Sequence, residues 1–282
     1  MNSQQVNLLG YKHMVHSFPA KTERHSLLAI HGFGASGQSF RFAAPMLTEA
    51  GVSIVAPDQL NFGESERPEG GYSLYLYAQL TLEASTAMEL ERPFLLGHSA
   101  GGKIAVVTAA LFPDAFSGLI LVNPGGFSVL ARVLLLADSS LFRLVDTPFF
   151  RKRILSRFRI AETVEAPEQW EAFCRFHGEN ASLDIDRSGL RQSVRSICMP
   201  TLVIWGARDR MIPRGTLKRI GRDIPHAKIV VMDDSGHSPM YDDPDEFSRL
   251  VIAFLEQDNV SRIPEGWSPP GPHTPDQSGS GD

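Results

Sequence analysis

The stretch FLLGHSAGGKIAV, residues 94–106, has the pattern of a buried strand that turns sharply and continues as a helix. Three apolar residues lead into Gly-His-Ser-Ala-Gly-Gly, and a helix-forming apolar run follows directly. Ser99 would stand at the apex of this turn, clear of the sheet and close to the helix N-terminus. Gly97 and Gly101 flank it where a side chain would collide with the turn. We therefore predict that Ser99 is a nucleophile, which needs a neighbouring base and amide donors to react.

The composition is that of an ordinary globular enzyme with no nucleic-acid surface. The chain has 282 residues, 43% of them hydrophobic, and its 27 basic and 32 acidic side chains give a net charge of −5. Cys174 and Cys198 lack metal-ligand spacing and are interpreted as reduced, buried thiols. We expect a small-molecule substrate, no metal and no cofactor, and the pattern leaves the oligomeric state open.

The sequence shows no recognisable targeting signal. Residues 1–10 are polar, without the basic and apolar regions of a secretory signal. No run of about 18 apolar residues is present, so no membrane span is predicted. These observations favour a cytoplasmic protein.

Six short apolar runs alternate with helical stretches and predict a parallel sheet that is covered on both faces. The runs are residues 26–31, 52–57, 94–97, 118–123, 200–205 and 227–232. Residues 6–18 add two short antiparallel strands, which gives a mostly parallel, eight-stranded sheet of the α/β class. Between the strands, helical spacing predicts helices over residues 38–50, 73–90, 103–112, 214–222 and 244–257.

The alternation of strands and helices breaks between residues 124 and 198, where only helical stretches occur: 129–145, 149–159, 167–179 and 185–197. This break predicts four segments. Residues 1–125 and 191–258 form the two parts of one core, 126–190 form an all-helical cap, and 259–282 form a disordered Pro/Gly/Ser tail. Such a cap would cover the carboxyl ends of the strands, where open α/β sheets bind ligands.

Two further residues are placed to work with Ser99. Asp209 and His237 each follow directly after a different core strand, so both are expected at the same rim of the sheet as Ser99. The chain order Ser, Asp, His is that of one known triad-bearing fold. We predict that His237 acts as the base and that Asp209 orients it.

Other residues could fill these roles, and each has a plainer interpretation. Asp233 and Asp234 lie nearer to His237 in sequence, but their adjacency favours local loop hydrogen bonds. His98 precedes Ser99 directly and is expected to pack beside the turn, because successive residues there point in different directions. His31, which ends a strand before two glycines, is interpreted as a structural hydrogen-bonding residue.

An oxyanion hole is also readable. One amide would come from Ala100, the residue after the nucleophile, and the other from Phe33 in the Gly32-Phe33-Gly34 loop. Taken alone, Gly32 and Gly34 would be interpreted as turn residues only.

At this point the chain resembles enzymes of the α/β-hydrolase fold, over about residues 5–258. The motifs that carry the resemblance are HGFG (31–34), PD (57–58), GES (63–65), GHSAGG (97–102), GARD (206–209) and GHSP (236–239). It is similar to the capped group that includes small esterases, carbon–carbon bond hydrolases of meta-cleavage products, and epoxide hydrolases. Epoxide hydrolases and haloalkane dehalogenases carry an aspartate where Ser99 stands, so the serine favours acyl transfer to water. Carbon–carbon hydrolases share the serine, but they commonly have an aromatic residue where Ser238 stands.

The resemblance and the predicted triad together imply a serine hydrolase of carboxylic esters with small to medium apolar acyl groups. The alternative is a carbon–carbon bond hydrolase of vinylogous diketones, and a third interpretation is a small-molecule receptor without turnover.

The predicted cap would carry the specificity. Residues 129–145 are strongly apolar, and they would either line an acyl pocket or pack on the core. A basic cluster follows, opposed only by Asp146: Arg143, Arg151, Lys152, Arg153, Arg157 and Arg159. It is interpreted as a solvated face or, as a sharper hypothesis, as a surface for weak contact with anionic substrates or membranes.

Overall fold

A computed structural model describes residues 1–68, 73–125 and 190–256, with side chains from residue 193 onward in the last range. These ranges contain a single eight-stranded sheet. The strands are β1 (Asn2–Leu8), β2 (Tyr11–Phe18), β3 (His25–Ile30), β4 (Val52–Pro57), β5 (Phe94–His98), β6 (Gly118–Val122), β7 (Thr201–Gly206) and β8 (Lys228–Met232).

The sheet has the strand order β1-β2-β4-β3-β5-β6-β7-β8. Only β2 runs against its neighbours β1 and β4, and all other pairs are parallel. In the register of the central strands, Ile30 lies opposite Gly97 and His98 lies opposite Val122. The carboxyl ends of β3, β5 and β6 therefore meet at one edge. The prediction of a mostly parallel, eight-stranded α/β sheet is confirmed.

Helices cover both faces of this sheet. In the described ranges they are α1 (Ala44–Glu49), α2 (Leu74–Ala87), α3 (Ala100–Leu111), α4 (Leu190–Arg195), α5 (Gly215–Asp223), α6 (Pro239–Asp242) and α7 (Pro244–Leu255). Short 3₁₀ turns occupy Gly37–Phe40 and Pro113–Ala115.

Two separate apolar cores explain why the strands are apolar at every position. Leu95 packs in the core formed with α2 and α3, which includes Leu74 and Ile104. The next residue, Leu96, packs in the opposite core, which includes Leu47 of α1 and Phe247 of α7. Because successive side chains of a strand point to opposite faces, a sheet covered on both sides requires an apolar residue at each position.

The helix predicted over residues 38–50 is wrong as a single element. The structure has a 3₁₀ turn over Gly37–Phe40, and α1 begins only at Ala44, with Pro45 in its first turn. Proline lacks an N–H and its ring collides with the carbonyl four residues earlier, so it is tolerated in the first turn of a helix and not in its interior. Pro45 therefore marks a start where the apolar spacing alone indicated continuity.

The predicted cap with Cys174, its basic cluster and the predicted tail lie outside the described residues, except that α4 begins at Leu190, the last residue assigned to the cap. The expectation of a buried thiol is wrong for Cys198, which is exposed in the segment between α4 and β7. Within residues 1–68, 73–125 and 190–256, no helix has the length and hydrophobicity that crossing a membrane requires.

Candidate active site

Ser99 occupies a sharp turn between β5 and α3. Its φ of 52° and ψ of −117° lie outside the helical and extended regions, a strained conformation of the kind that clusters at active sites. A Cβ on Gly97 would collide with the Gly101 carbonyl, and one on Gly101 would collide with the Ile30 carbonyl. The two glycines are therefore required by close backbone approach, as the sequence pattern predicts.

The structure brings Ser99, His237 and Asp209 together in a line of hydrogen bonds. Nε2 of His237 lies 2.9 Å from the Ser99 hydroxyl, and its Nδ1 lies 2.8 Å from Oδ2 of Asp209. A carboxylate only accepts hydrogen bonds, so Nδ1 carries the proton and Nε2 presents a lone pair to the serine. The arrangement can move a proton from the Ser99 hydroxyl to the imidazole.

Asp209 is fully enclosed, with 0% of its side chain exposed. Its Oδ1 accepts hydrogen bonds from the backbone N–H groups of Met211 and Ile212, at 2.7 and 3.1 Å. Its Oδ2 accepts a third bond, of 2.7 Å, from the Asn123 side-chain amide, in addition to the bond from His237. These donors hold the plane of the carboxylate.

Residues 233–238, which we call the histidine loop, are secured from several sides. Arg208 N–H donates to the Ser235 carbonyl at 2.9 Å, which joins this loop to the turn that carries Asp209. Nε2 of His98 lies 2.9 Å from the His237 carbonyl, and Gly236 N–H donates to Asp242 at 2.7 Å. The backbone on both sides of the His237 side chain is therefore fixed.

His98 does more than pack beside the turn. A carbonyl only accepts, so Nε2 carries the proton of the neutral ring. Burial, together with the neighbouring His237, lowers the pKa of His98 to about 3. The ring thus remains an uncharged donor to the histidine loop at neutral pH.

The two predicted oxyanion donors lie beside the same small cavity. It has a volume of about 10 Å³, and Phe33, Phe62, Ala100 and Ile104 contribute to its lining. A cavity of this size holds about one water-sized group. The Phe33 and Phe62 rings meet edge to face with centroids 5.0 Å apart, so the wall of the cavity is apolar.

Residues 31–37, which we call the glycine loop, are held by buried polar groups. Gly37 N–H donates to Oδ1 of Asp58 at 2.6 Å, and Glu64 N–H donates to Oδ2 at 2.8 Å. His16 Nε2 lies 3.2 Å from the same carboxylate, whose side chain is 1% exposed. Burial alone would raise the pKa of Asp58, but His16 and the two backbone donors outweigh it and lower that pKa.

Both ring nitrogens of His31 form hydrogen bonds with backbone groups. Its Nδ1 donates to the Gly32 carbonyl at 2.7 Å, and its Nε2 accepts from Gln59 N–H at 2.9 Å. Burial is the main cause of its lowered pKa. His31 is therefore a structural hydrogen-bonding residue, as expected.

The structure places Asp209, and not the alternative aspartates, against the His237 imidazole. Asp233 and Asp234 are exposed, and Asp234 pairs with Arg208, both side chains being largely in solvent. Sequence reasoning missed Asn123, the buried residue that follows β6 and contacts Asp209. The available signal was a polar residue at the end of an otherwise apolar strand, directly before Pro124.

Comparison with known proteins places the chain in a family. Residues 27–250 match the family model described as "Alpha/beta hydrolase family". The chain is 28% identical to Lipase 1 of Psychrobacter immobilis, over 89% of this chain and 83% of that protein. It is 27% identical to 2-hydroxymuconate semialdehyde hydrolase of Pseudomonas putida, over 90% of this chain and 94% of that protein.

Among solved structures, an esterase from Exiguobacterium antarcticum superposes with a TM-score of 0.71 at 21% identity, covering 90% of this chain and all of that one (100%). Because residues 27–250 match the family model and the fold agrees, the chain belongs to the alpha/beta hydrolase family. The resemblance expected from the motifs is confirmed.

Proposed function

We propose that the protein is a serine hydrolase that cleaves carboxylic esters of small to medium apolar acyl groups through an acyl-enzyme. The observation that carries the proposal is the continuous line from the Ser99 hydroxyl through His237 to Asp209, with contacts of 2.9 and 2.8 Å. Lipase 1 of Psychrobacter immobilis is a relative over most of both chains, which supports lipid-like or ester substrates.

In the proposed reaction, the Ser99 oxygen attacks the ester carbonyl while its proton moves to Nε2 of His237. Asp209 accepts the Nδ1–H bond throughout, which keeps the ring in the productive tautomer and stabilises the imidazolium. The carbonyl oxygen becomes negative and is held by the amides of Phe33 and Ala100, the two residues beside the small cavity.

Collapse of this intermediate breaks the bond to the alcohol, and His237 returns its proton to the leaving oxygen. Water then attacks the acyl-enzyme with His237 as base again, and the released acid leaves Ser99 as it began. Phe33, Phe62 and Ile104 place apolar side chains next to Ala100, which favours an apolar group over a charged one beside the reacting carbonyl.

The test combines a covalent probe with turnover. An organophosphonate should add one phosphonyl group to the wild-type chain, as measured by intact mass, and none to Ser99→Ala. The wild type should hydrolyse p-nitrophenyl butyrate, and Ser99→Ala should lose this activity. Equal labelling or equal turnover by both proteins would refute the role of Ser99.

Carbon–carbon bond hydrolysis is the second candidate, because 2-hydroxymuconate semialdehyde hydrolase of Pseudomonas putida is a relative of similar identity and coverage. The two candidates differ in substrate. The proposal requires p-nitrophenyl butyrate to be turned over with a higher kcat/KM than a ring-fission diketone, and the reverse order would favour the second candidate.

A further inference from the structure

The Asn123 side chain joins three parts of the site that are distant in sequence. Its Nδ2 donates to Oδ2 of Asp209 at 2.7 Å and to the Gly236 carbonyl at 2.9 Å. Its Oδ1 accepts from Gly206 N–H at 2.8 Å. One amide therefore contacts the end of β7, the acid and the residue before His237.

The orientation of this amide is fixed by its partners. A backbone N–H can only donate, so Oδ1 must face Gly206. A carboxylate and a carbonyl can only accept, so the NH₂ group must face Asp209 and Gly236. Both amide hydrogens and the oxygen are used, and Asn123 is 0% exposed. A flipped amide would break all three contacts.

We propose that Asn123 is a positioning residue, which aims the Asp209 carboxylate at Nδ1 of His237 and holds the histidine loop at the matching distance. This inference rests on the proposed function of the Ser99, His237 and Asp209 line. Backbone donors hold Oδ1 of Asp209, whereas Oδ2, the oxygen that meets the imidazole, is held by Asn123. Without the Asn123 amide, the imidazole would be the remaining partner of Oδ2 among the bonds described.

Asparagine suits this place for two reasons. The residue has a φ of 41°, in the left-handed region that asparagine tolerates better than most non-glycine residues. Its amide is also neutral, so it orients the acid without adding a charge beside the imidazole. Aspartate would keep the shape and the acceptor for Gly206, but it would place a second carboxyl group against Asp209.

The experiment compares Asn123→Asp with the wild type. We expect Asn123→Asp to fold and to lose about 100-fold in kcat for p-nitrophenyl butyrate at pH 8, with little change in KM, because misplacement of catalytic groups acts on the chemical step. We also expect the acidic limb of its kcat/KM profile to move up by about one pH unit, because an added carboxylate favours the protonated imidazole.

A matched control separates positioning from general stability. Ser248 is buried in α7, away from the active site, and its hydroxyl lies 2.6 Å from the Pro244 carbonyl and 3.2 Å from that of Ala43. Ser248→Ala should lower the melting temperature and leave both kcat and the pH profile as in the wild type. A merely structural role for Asn123 would give this same pattern in Asn123→Asp, and that result would overturn the proposal.

A second variant covers the case in which Asn123→Asp does not fold. Asn123→Ser is neutral and one atom shorter, and it should lower kcat in the same direction without moving the acidic limb. Wild-type kcat in Asn123→Ser, or failure of both variants to fold, would overturn the proposal. If the wild type itself shows no Ser99-dependent labelling or turnover, it is the proposed function that fails.

Discussion

The glycine loop and the histidine loop meet at the same edge of the sheet, but different chemistry holds each of them. The glycine loop is anchored to a buried anion, because the Gly37 N–H donates to the carboxylate of Asp58 at 2.6 Å. Glu64 N–H and His16, which lie outside the loop, hold the same carboxylate. In the histidine loop, the carbonyls of Gly236 and His237 accept from neutral donors, the Asn123 amide and the His98 imidazole. The Gly236 N–H donates to the carboxylate of Asp242.

The difference follows from what each loop carries. Charged hydrogen bonds are stronger than neutral ones, so an anion suits a loop whose proposed contribution is a backbone amide. A further charge beside the imidazole would change its proton affinity, so neutral donors suit the carbonyls of Gly236 and His237. The groups that hold each loop are therefore matched to the role that we propose for that loop.

The largest expected effect comes from Asp209→Asn, which removes the carboxylate that contacts the His237 imidazole. The new amide would present an N–H where the imidazole and Asn123 both need an acceptor, so His237 would lose its productive tautomer. We expect kcat for p-nitrophenyl butyrate to fall by about 10⁴-fold. Steady-state kinetics at pH 8 measures this fall.

The matched control for that variant is Asp234→Asn. Asp234 pairs with Arg208 in solvent, with 82% of its side chain exposed, so its loss should change kcat by less than about twofold. A large loss of kcat in Asp234→Asn, with a small loss in Asp209→Asn, would show that Asp234 and not Asp209 is the residue that orients His237.

The next effect comes from Asp58→Asn, which removes the anion under the glycine loop. Weakening charge-assisted bonds to a buried carboxylate should lower the free energy of unfolding at pH 7 by about 2 kcal/mol, as measured by urea titration. Because the pKa of Asp58 is lowered in the fold, its stabilising effect is complete above the unfolded value of about 3.9. It is lost as the pH falls through the lower folded value, so the two proteins should converge in acid.

Asp58→Asn should also lower kcat by about tenfold, since displacement of the glycine loop would move Phe33, the proposed oxyanion donor. The control is Asp223→Asn. Asp223, the last residue of α5, is similarly enclosed, with 2% side-chain exposure, and it pairs with Arg195. This control should lose stability without losing kcat. An equal loss of kcat in Asp58→Asn and Asp223→Asn would contradict a specific role for Asp58 in holding the glycine loop.

The smallest effect at neutral pH is expected from His98→Gln, because its effect on stability should develop only in acid. The His98 pKa is about 3 in the fold, against about 6.5 when unfolded, so the unfolded chain binds the extra proton between these values. Stability therefore falls as the pH drops below about 6.5, and at pH 5 this group costs the wild type about 2 kcal/mol.

Glutamine can still donate to the His237 carbonyl but takes up no proton. Plots of unfolding free energy against pH should therefore be flatter for His98→Gln than for the wild type between pH 7.5 and 5. His13 and His31, whose pKa values are also lowered by burial, remain in both proteins and cancel in the difference. Parallel plots for the two proteins would contradict the expectation.

Much of the fold was predictable because it depends on local patterns. Six apolar runs gave the parallel strands, and the small residues around Ser99 gave the turn. Asp209 and His237 could be selected because parallel strands bring their carboxyl ends to one edge. The helix over residues 38–50 was wrong because Pro45, a start signal, was interpreted as part of a continuous apolar pattern.

The anchors of the histidine loop could not be found in the same way. His98 reaches the His237 carbonyl across 139 positions, and Asn123 reaches Gly236 across 113. Neither contact follows from strand order alone, since both depend on the tautomer or amide orientation that the folded neighbours impose. An amide or imidazole at a strand end is only a candidate until its partners are known.

The strained turn at Ser99 has one further connection. The carbonyl of Ser99 accepts a 2.8 Å hydrogen bond from Gly125 N–H, just beyond β6. The Gly125 amide proton is therefore sensitive to changes at Ser99. If Ser99 is esterified as proposed, the exchange rate or the chemical shift of the Gly125 amide should change, because the change is transmitted through the Ser99 carbonyl.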